Sequence, residues 1–148
     1  MKYPFSHAKT FLLTHARLLE RLLFEVRFSD APPAIISQAV RAYQNPDGGL
    51  GHALEPDLRC LQSQPLFVVV GLQALHAAGC QDPDLARSFC PFLESVSIEN
   101  GLVPPILETA LHSPHAPHWT ERSLSPDLNP TLGICGLLHS QGVQHPWL

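Results

Sequence analysis

Two stretches of the chain repeat each other closely. LHAAGCQDPDL (75–85) and LHSQGVQHPWL (138–148) agree at six of eleven aligned positions and lie 63 residues apart. A proline marks the expected start of a helix before each stretch, and these prolines, Pro65 and Pro130, are 65 residues apart. Because repetition of this kind is typical of stacked helical hairpins, the repeat predicts an all-α fold.

The repeat also makes a prediction about the end of the sequence. In the first copy Pro83 is expected to begin a further helix, whereas the matching Pro146 is followed by only two residues. We therefore expect residues 1–148 to form a single domain of about six helices, in roughly three hairpins, that is truncated at its C-terminus. A natural truncation, a split gene product and an artificial boundary are all compatible with this pattern.

Hydrophobic spacing predicts the helices of the first half. Apolar residues recur at helical intervals from Ser6 to Val26, which indicates one long amphipathic helix. Asp30 is expected to cap the next helix, with Pro32 or Pro33 in its first turn, until Asn45-Pro46 stops it.

The remaining helices are predicted from their end signals. The apolar run LFVVVGLQAL follows Pro65 and precedes Gly79, which indicates a helix buried on all sides, with a strand at FVVV as the alternative. Asp82-Pro83 begins a helix that Pro91 should kink. One short helix is expected around 106–112 in the irregular stretch that follows, and a final helix runs from Asn129-Pro130 to Gly142.

Composition excludes several kinds of partner. The formal net charge is −4, and the nine Lys and Arg residues form no basic stripe, so nucleic acid is not expected to bind. No uninterrupted apolar run approaches the roughly 18 residues that a membrane-spanning helix needs, and the N-terminus lacks a signal-peptide core. The four cysteines form no CxxC motif. We expect reduced, mostly buried thiols in a cytoplasmic protein.

The run YQNPDGGLGHALEPDLR (43–59) carries a family resemblance. It resembles the Q-x-x-DGG-x-G signature of the α/α toroids of the terpenoid cyclase and protein prenyltransferase (squalene cyclase-like) superfamily, and more closely a group of bacterial toroid-like proteins. PHAPHW and LNPTLGICGLL…HPWL are similar to later parts of that group. The resemblance implies six helical hairpins around an apolar cavity that holds an isoprenoid-like ligand. This chain corresponds to about half of such a ring, so a homodimer would complete it, or its inner face would stay exposed.

The resemblance also implies a structural role for the first part of this run. Gln44 is expected to cap neighbouring helix ends, and Asp47 to bond the amides that follow it. Gly48 and Gly49 allow positive φ in the turn, and Gly51 completes the motif. Leu50 takes the place of an aromatic residue in the family pattern.

The polar residues after the glycines are the candidates for chemistry. The D-x-D-D acid motif of triterpene cyclases is missing, and the nearest acidic pair is Glu55 and Asp57. We expect Arg59 to favour the ionised carboxylates, an environment suited to binding a cation or hydroxyl group, although capping and a salt bridge to Arg59 are the simpler explanation. His52 is a candidate general base oriented by Glu55 on a nascent helical turn. Asp57, Glu55 and His52 are the predicted catalytic residues.

Metal sites and further ligand contacts are weaker hypotheses. Zinc at Asp57 and Cys60, with His76 or His112, departs from the D-x-C spacing of prenyltransferases, so no zinc or magnesium is predicted. The tract His112, His115 and His118 is held extended by prolines, which should separate the imidazoles. We assign ligand contact to Arg59, His115 and Trp119.

Three functions remain open at this stage. The first is a toroid-like protein that binds an apolar ligand, with cyclase-like or prenyltransferase-like activity if it is an enzyme. The second is a non-catalytic helical-repeat module that binds a protein or its own copy. The third is a carbohydrate-active α/α barrel that uses two carboxylates, drawn from these acidic residues: Glu55, Asp57, Glu94, Glu99 and Glu108.

Overall fold

The protein is all-α, as predicted. The structure is a computed structural model, and it describes residues 4–98 and 100–148. Within those ranges there is no sheet, and three isolated β-bridges join loops. The α-helices in chain order are α1 (Phe5–His15), α2 (Leu18–Phe28), α3 (Ala34–Arg41), α4 (Pro65–Ala78), α5 (Pro83–Ser88), α6 (Cys90–Val96), α7 (Glu108–Leu111) and α8 (Leu128–Ser140), with a 3-10 helix at Glu121–Leu124 before α8.

Helix α4 lies at the centre of the fold. It packs against α2, α3 and α8, and Phe67, Val68, Leu72 and Leu75 are fully buried. Its start at Pro65 and its stop at Gly79 are those predicted, and the strand alternative for FVVV is wrong. The prediction that this helix is buried on all sides is wrong, because Gln73, His76 and Ala77 are exposed and Leu66 and Val69 are only half-buried. One side of α4 is therefore open to solvent.

The two copies of the repeat have the same backbone at their helix ends. Gly79 (φ 65°) and Gly142 (φ 72°) both adopt the left-handed conformation that terminates a helix. The next residue of each copy bonds back in the same way, Cys80 N–H to the Leu75 carbonyl at 2.9 Å and Val143 N–H to the Leu138 carbonyl at 3.1 Å. The repeated sequence therefore ends both helices in the same way, and these helices, α4 and α8, pack against each other.

The predicted long N-terminal helix is wrong, because it divides into α1 and α2 at Ala16 and Arg17. Both residues are extended, with ψ of 158° and 166°. Two side-chain contacts stabilise the break. Arg21 Nε donates to the Ala16 carbonyl at 2.6 Å, and Arg17 forms an ion pair with Glu20. No residue of α1 is buried, whereas α2 buries Leu19 and Phe24.

Two other predicted helix signals differ from the structure. Asp30 does not cap α3: it has a positive φ of 56°, and Pro33 precedes the helix without a side-chain cap bond. The helix after Asp82 is interrupted between α5 and α6 rather than merely kinked. Because Pro91 has no N–H to donate, the chain forms a turn at Phe89 and restarts at Cys90.

The hydrophobic core is formed mainly by α2 to α6, α8 and the loops between them, and its buried residues make one cluster. Among the described residues, no helix is both long enough and apolar enough to cross a membrane.

Candidate functional site

The turn between α3 and α4 is fixed by side-chain hydrogen bonds. Asp47 Oδ1 accepts from the Gly49 N–H at 2.9 Å and from the Ser63 hydroxyl at 2.7 Å. Gln44 Nε2 donates to the Gly48 carbonyl at 3.1 Å and to the hydroxyl of Ser88, the last residue of α5, at 2.7 Å. These bonds join the turn to the start of α4 and to the end of α5.

The glycines of this turn are required for different reasons. Gly48 has a positive φ of 87°, the conformation that glycine allows, whereas Gly49 does not adopt it. A Cβ on Gly49 would lie 2.6 Å from Ser63 Cβ, and one on Gly51 would lie 2.0 Å from the Leu61 carbonyl oxygen. Gly49 and Gly51 are therefore needed for close packing rather than for an unusual backbone conformation.

The loop after the turn pairs with the loop that carries the histidines. The Arg59 N–H donates to the Pro114 carbonyl at 2.8 Å, and the Ala116 N–H donates to the Asp57 carbonyl at 2.8 Å. Leu58 and His115 face each other in an isolated antiparallel bridge. Two segments more than fifty residues apart in sequence thus meet at one surface.

Asp57 is the centre of this surface. His118 Nε2 lies 3.2 Å from Asp57 Oδ2, and Trp119 Nε1 donates to Asp57 Oδ1 at 3.0 Å. The two rings lie against each other with centroids 4.8 Å apart. The carboxylate therefore contacts an imidazole and an indole at the same time.

Glu55 lies beside this group and is half-buried. Burial raises the pKa of the Glu55 carboxyl, and the negative charge of Asp57 raises it further, against the opposing effect of Arg17. The expectation that Arg59 favours the ionised form of Glu55 is therefore wrong. The nearby cation that acts on Glu55 comes from the start of α2, far from it in sequence.

The predicted pairing of His52 with Glu55 is not formed. The segment after His52 makes turns rather than a helix, and none of the hydrogen bonds or ion pairs of residues 4–98 and 100–148 joins these two side chains. His52 is exposed and has a positive φ of 56°. It lies with Arg59 in a polar cleft on the Arg17 side of the loop.

A second, more apolar cleft lies between the two repeat helices. Its volume is about 330 Å³. Trp119 forms one wall, so the indole that binds Asp57 through its nitrogen also faces this groove. We call it the α4–α8 groove, lined by Leu66, Val69, Gln73, Pro105, Trp119, Asn129, Pro130 and Gly133.

The remaining candidate residues are separate from these clefts. His112 is 4.0 Å from Glu108, and His115 Nδ1 is 2.6 Å from the Ser113 carbonyl oxygen. Cys60 is buried, with Sγ 3.2 Å from Gln62 Oε1. In the part of the chain that the structure describes, no group of three or more His, Cys, Asp and Glu residues is able to hold a metal ion.

Of the acidic residues considered for a carbohydrate-active site, Glu55 and Asp57 lie near enough for the charge of Asp57 to raise the pKa of Glu55. Glu94 and Glu108 are exposed on α6 and α7. Glu99 lies outside the described residues. The pair formed by Glu55 and Asp57 remains the acidic pair of interest.

Sequence reasoning missed two residues of this surface. His118 was placed in a possible metal tract, but its contact is Asp57. The hydrophobic pattern predicts Arg17 within a continuous helix, but its guanidinium donates to the Leu54 carbonyl at 2.7 Å and so reaches the loop that carries Glu55. A basic residue within an amphipathic pattern carries no signal of such a contact.

No protein-family model, curated protein or solved structure matches the chain.

Proposed function

We propose that this chain is a toroid-like helical-repeat protein that binds an apolar, isoprenoid-like ligand in the α4–α8 groove. The observation that carries the proposal is the groove itself. Its volume, about 330 Å³, falls within the roughly 300–1,000 Å³ typical of small-molecule sites. Leu66, Val69 and Pro130 give it apolar walls, and burial of apolar ligand surface against them is favourable.

Trp119 gives the groove a polar end. Its ring offers a flat apolar surface, while its N–H is already bonded to Asp57. Asp57 and His118 therefore lie just beyond the indole, where a hydroxyl group at the end of an apolar ligand would find an acceptor. Glu55, with its raised pKa, supplies a second carboxyl group beside them. The proposal concerns binding, and these residues are the ones to test for any proton transfer.

The groove offers a direct test with a matched control on the same helix. Gly133 lines the groove and Gly136 does not, and a Cβ on either glycine would meet no atom within 4 Å. We expect Gly133→Leu to fill the groove and weaken farnesol binding at least about tenfold, since a well-buried aliphatic group contributes about 1.5–3 kcal/mol. Gly136→Leu should bind like wild type.

Binding is measured by the change in indole fluorescence, with Trp119→Phe to identify the reporting ring. Both leucine variants should fold, because leucine is a better helix former than glycine. Equal farnesol affinity in Gly133→Leu, Gly136→Leu and wild type contradicts the proposal. Saturable binding of an oligosaccharide in the same assay would favour the carbohydrate-active alternative.

Self-association is a second candidate function, favoured by exposed apolar side chains on α1 and on α8. Leu128 and Leu132 of α8 are 58% and 63% exposed, and Phe5 and Phe11 of α1 are 58% and 68% exposed. Apolar surface of this kind often marks a protein interface. A pair of chains would cover both faces, as the half-ring hypothesis requires.

Light scattering after size exclusion tests this candidate. A dimer that Leu132→Glu converts to a monomer supports it, and a monomer at all concentrations rejects it. The exposed Leu61, which lies on neither face, provides the matched control variant Leu61→Glu.

The cytoplasm remains our proposed location, where the four free thiols would stay reduced.

A further inference from the structure

The polar cleft beside His52 has a composition that suits an anion. Its volume is about 250 Å³, and we call it the His52 cleft. Four of its lining side chains carry N–H or O–H donors, and none of the carboxylates in the described part of the chain lines it. The lining residues are Arg17, Tyr43, His52, Ala53, Pro56 and Arg59.

The two arginines of the cleft are in different states. Arg17 forms an ion pair with Glu20 and donates to the Leu54 carbonyl, so its charge is compensated and its position is fixed. In the described part of the chain, the Arg59 side chain makes no hydrogen bond or ion pair, and it is exposed. Arg59 is therefore the cation available to a ligand, because its guanidinium has no internal partner.

The backbone holds His52 in an unfavourable conformation at the edge of this cleft. His52 and Ala53 have positive φ values of 56° and 58°, which non-glycine residues rarely adopt. Two hydrogen bonds maintain them, from the His52 N–H to the Leu61 carbonyl at 3.1 Å and from the Ala53 N–H to the Cys60 carbonyl at 2.9 Å. Residues held in such conformations by their surroundings cluster at ligand sites.

We propose that the His52 cleft binds the anionic head of a small molecule, a carboxylate or phosphate group, with its charge on Arg59 and hydrogen bonds from His52 and Tyr43. Planar guanidinium groups match the geometry of both oxyanions. The cleft is a different site from the α4–α8 groove, so this proposal does not rest on the one above.

The test is an amide and imidazole NMR titration of the whole chain with inorganic phosphate and, separately, with succinate at constant ionic strength. We expect saturable shifts at residues 52–59 and at the His52 ring. Arg59→Gln should weaken binding about tenfold or more, the range expected for losing a hydrogen bond from a charged group. His52→Asn, which tolerates a positive φ, should weaken it by a smaller factor.

The matched control is Arg122→Gln, which removes an exposed arginine outside the cleft. It should leave both titrations unchanged. Saturation by only one anion still supports the site and identifies it as selective for phosphate or for carboxylate. The proposal is overturned if neither anion gives saturable shifts up to about 10 mM, or if Arg59→Gln and Arg122→Gln weaken binding equally. An unchanged spectrum outside the cleft verifies that each variant is folded.

Discussion

The two copies of the repeat end their helices in the same way but are packed differently. Gly79 and Gly142 terminate α4 and α8 with the same pair of backbone bonds. Helix α4 then has neighbours on several sides, whereas α8 leaves Leu128 and Leu132 exposed. The local sequence thus determines the helix end, while the burial of a helix depends on which other elements cover it.

The copies also differ in the residues that connect them. Gln141, at the end of α8, is 3% exposed; its Oε1 accepts from the Asp82 N–H at 2.9 Å and its Nε2 donates to the Cys80 carbonyl at 2.9 Å. The aligned position in the first copy is Ala78, which has no such groups. The second copy therefore binds the turn of the first through a buried side chain, whereas the first copy contacts the second through the exposed Gln81, whose Nε2 donates to the Ser140 carbonyl at 3.4 Å.

The largest expected effect comes from glycines in the two repeat helices. A Cβ on Gly71 of α4 would lie 2.4 Å from Leu50 Cδ1 and 3.2 Å from Val40 Cγ1. Both of these neighbouring side chains are fully buried. We expect Gly71→Leu to lower the free energy of unfolding by about 3 kcal/mol through overpacking. Gly136→Leu on the open side of α8 should raise it by up to about 1 kcal/mol. Urea denaturation measures both, and an equal effect on the two helices would contradict the difference in packing.

Removal of the link between the copies should have the next largest effect. Gln141→Leu fills a similar volume but leaves the Asp82 N–H and the Cys80 carbonyl without their partner, and we expect a loss of about 2 kcal/mol in the free energy of unfolding. Gln144→Leu, at an exposed position, is the control and should change it by less than about 0.5 kcal/mol. If the two variants are equally stable, Gln141 does not hold the copies together.

A smaller and pH-dependent effect is expected at Asp82. Burial disfavours its ionised form, but hydrogen bonds from Ser37, from the Leu85 N–H and from Arg41 outweigh this and lower the pKa of the carboxyl. A lowered pKa in the folded state means that the charged form stabilises the protein at neutral pH, and that this contribution is lost as the pH falls through the lowered pKa.

Asp82→Asn retains one oxygen to cap the Leu85 N–H, but it removes the charge and replaces the oxygen that accepts from Ser37 and Arg41 with an amide NH2 group. We expect it to be less stable than wild type by about 1 kcal/mol near pH 7, with the difference shrinking in acid. Urea denaturation at a series of pH values measures the difference. A difference that does not change between neutral pH and acid is incompatible with this account.

The smallest effect is expected at His145, the position in the second copy that matches Asp82. Its carbonyl accepts from the Leu148 N–H at 3.0 Å, as a first turn of helix would require. His145 Nδ1 already accepts from the Trp147 N–H at 3.2 Å. His145→Asp should exchange this acceptor for a carboxylate that reaches the Leu148 N–H, and raise the free energy of unfolding by a few tenths of a kcal/mol. His139→Asp, on the exposed side of α8, serves as the control, because it offers no such cap. Thermal unfolding at pH 7 distinguishes the two variants.

The sequence was sufficient for the features that depend on neighbouring residues. Pro65 with Gly79 predicts α4, and the six shared positions of the repeat predict the matching end of α8. These signals succeed because caps and left-handed stops are local properties of the backbone. The same reasoning failed at residues 16 and 17, where a hydrophobic pattern continues through a break that contacts with Arg21, Glu20 and the loop near Leu54 stabilise.

The candidate site was only partly predictable, because its residues meet through tertiary contacts. Asp57 and Trp119 were both selected from the sequence, but the hydrogen bond between them spans 62 residues. His118 has no local feature that separates it from the other histidines of its tract. The sequence predicts that the ionised form of Glu55 is favoured. Burial and the negative charge of Asp57 instead raise the pKa of its carboxyl, which favours the neutral form.

The most direct test of the proposed ligand site is a methyl NMR titration of the full chain with farnesol. Val69 of α4 faces the α4–α8 groove, whereas Leu132 lies on the exposed face of α8. The account predicts saturable shifts of the Val69 and Leu66 methyl groups, together with the Trp119 indole resonance, and no saturable shift at Leu132. Saturable shifts at Leu132 and Leu128 without any at Val69 would contradict it, because the ligand would then occupy the exposed face of α8 and not the groove between the two repeats.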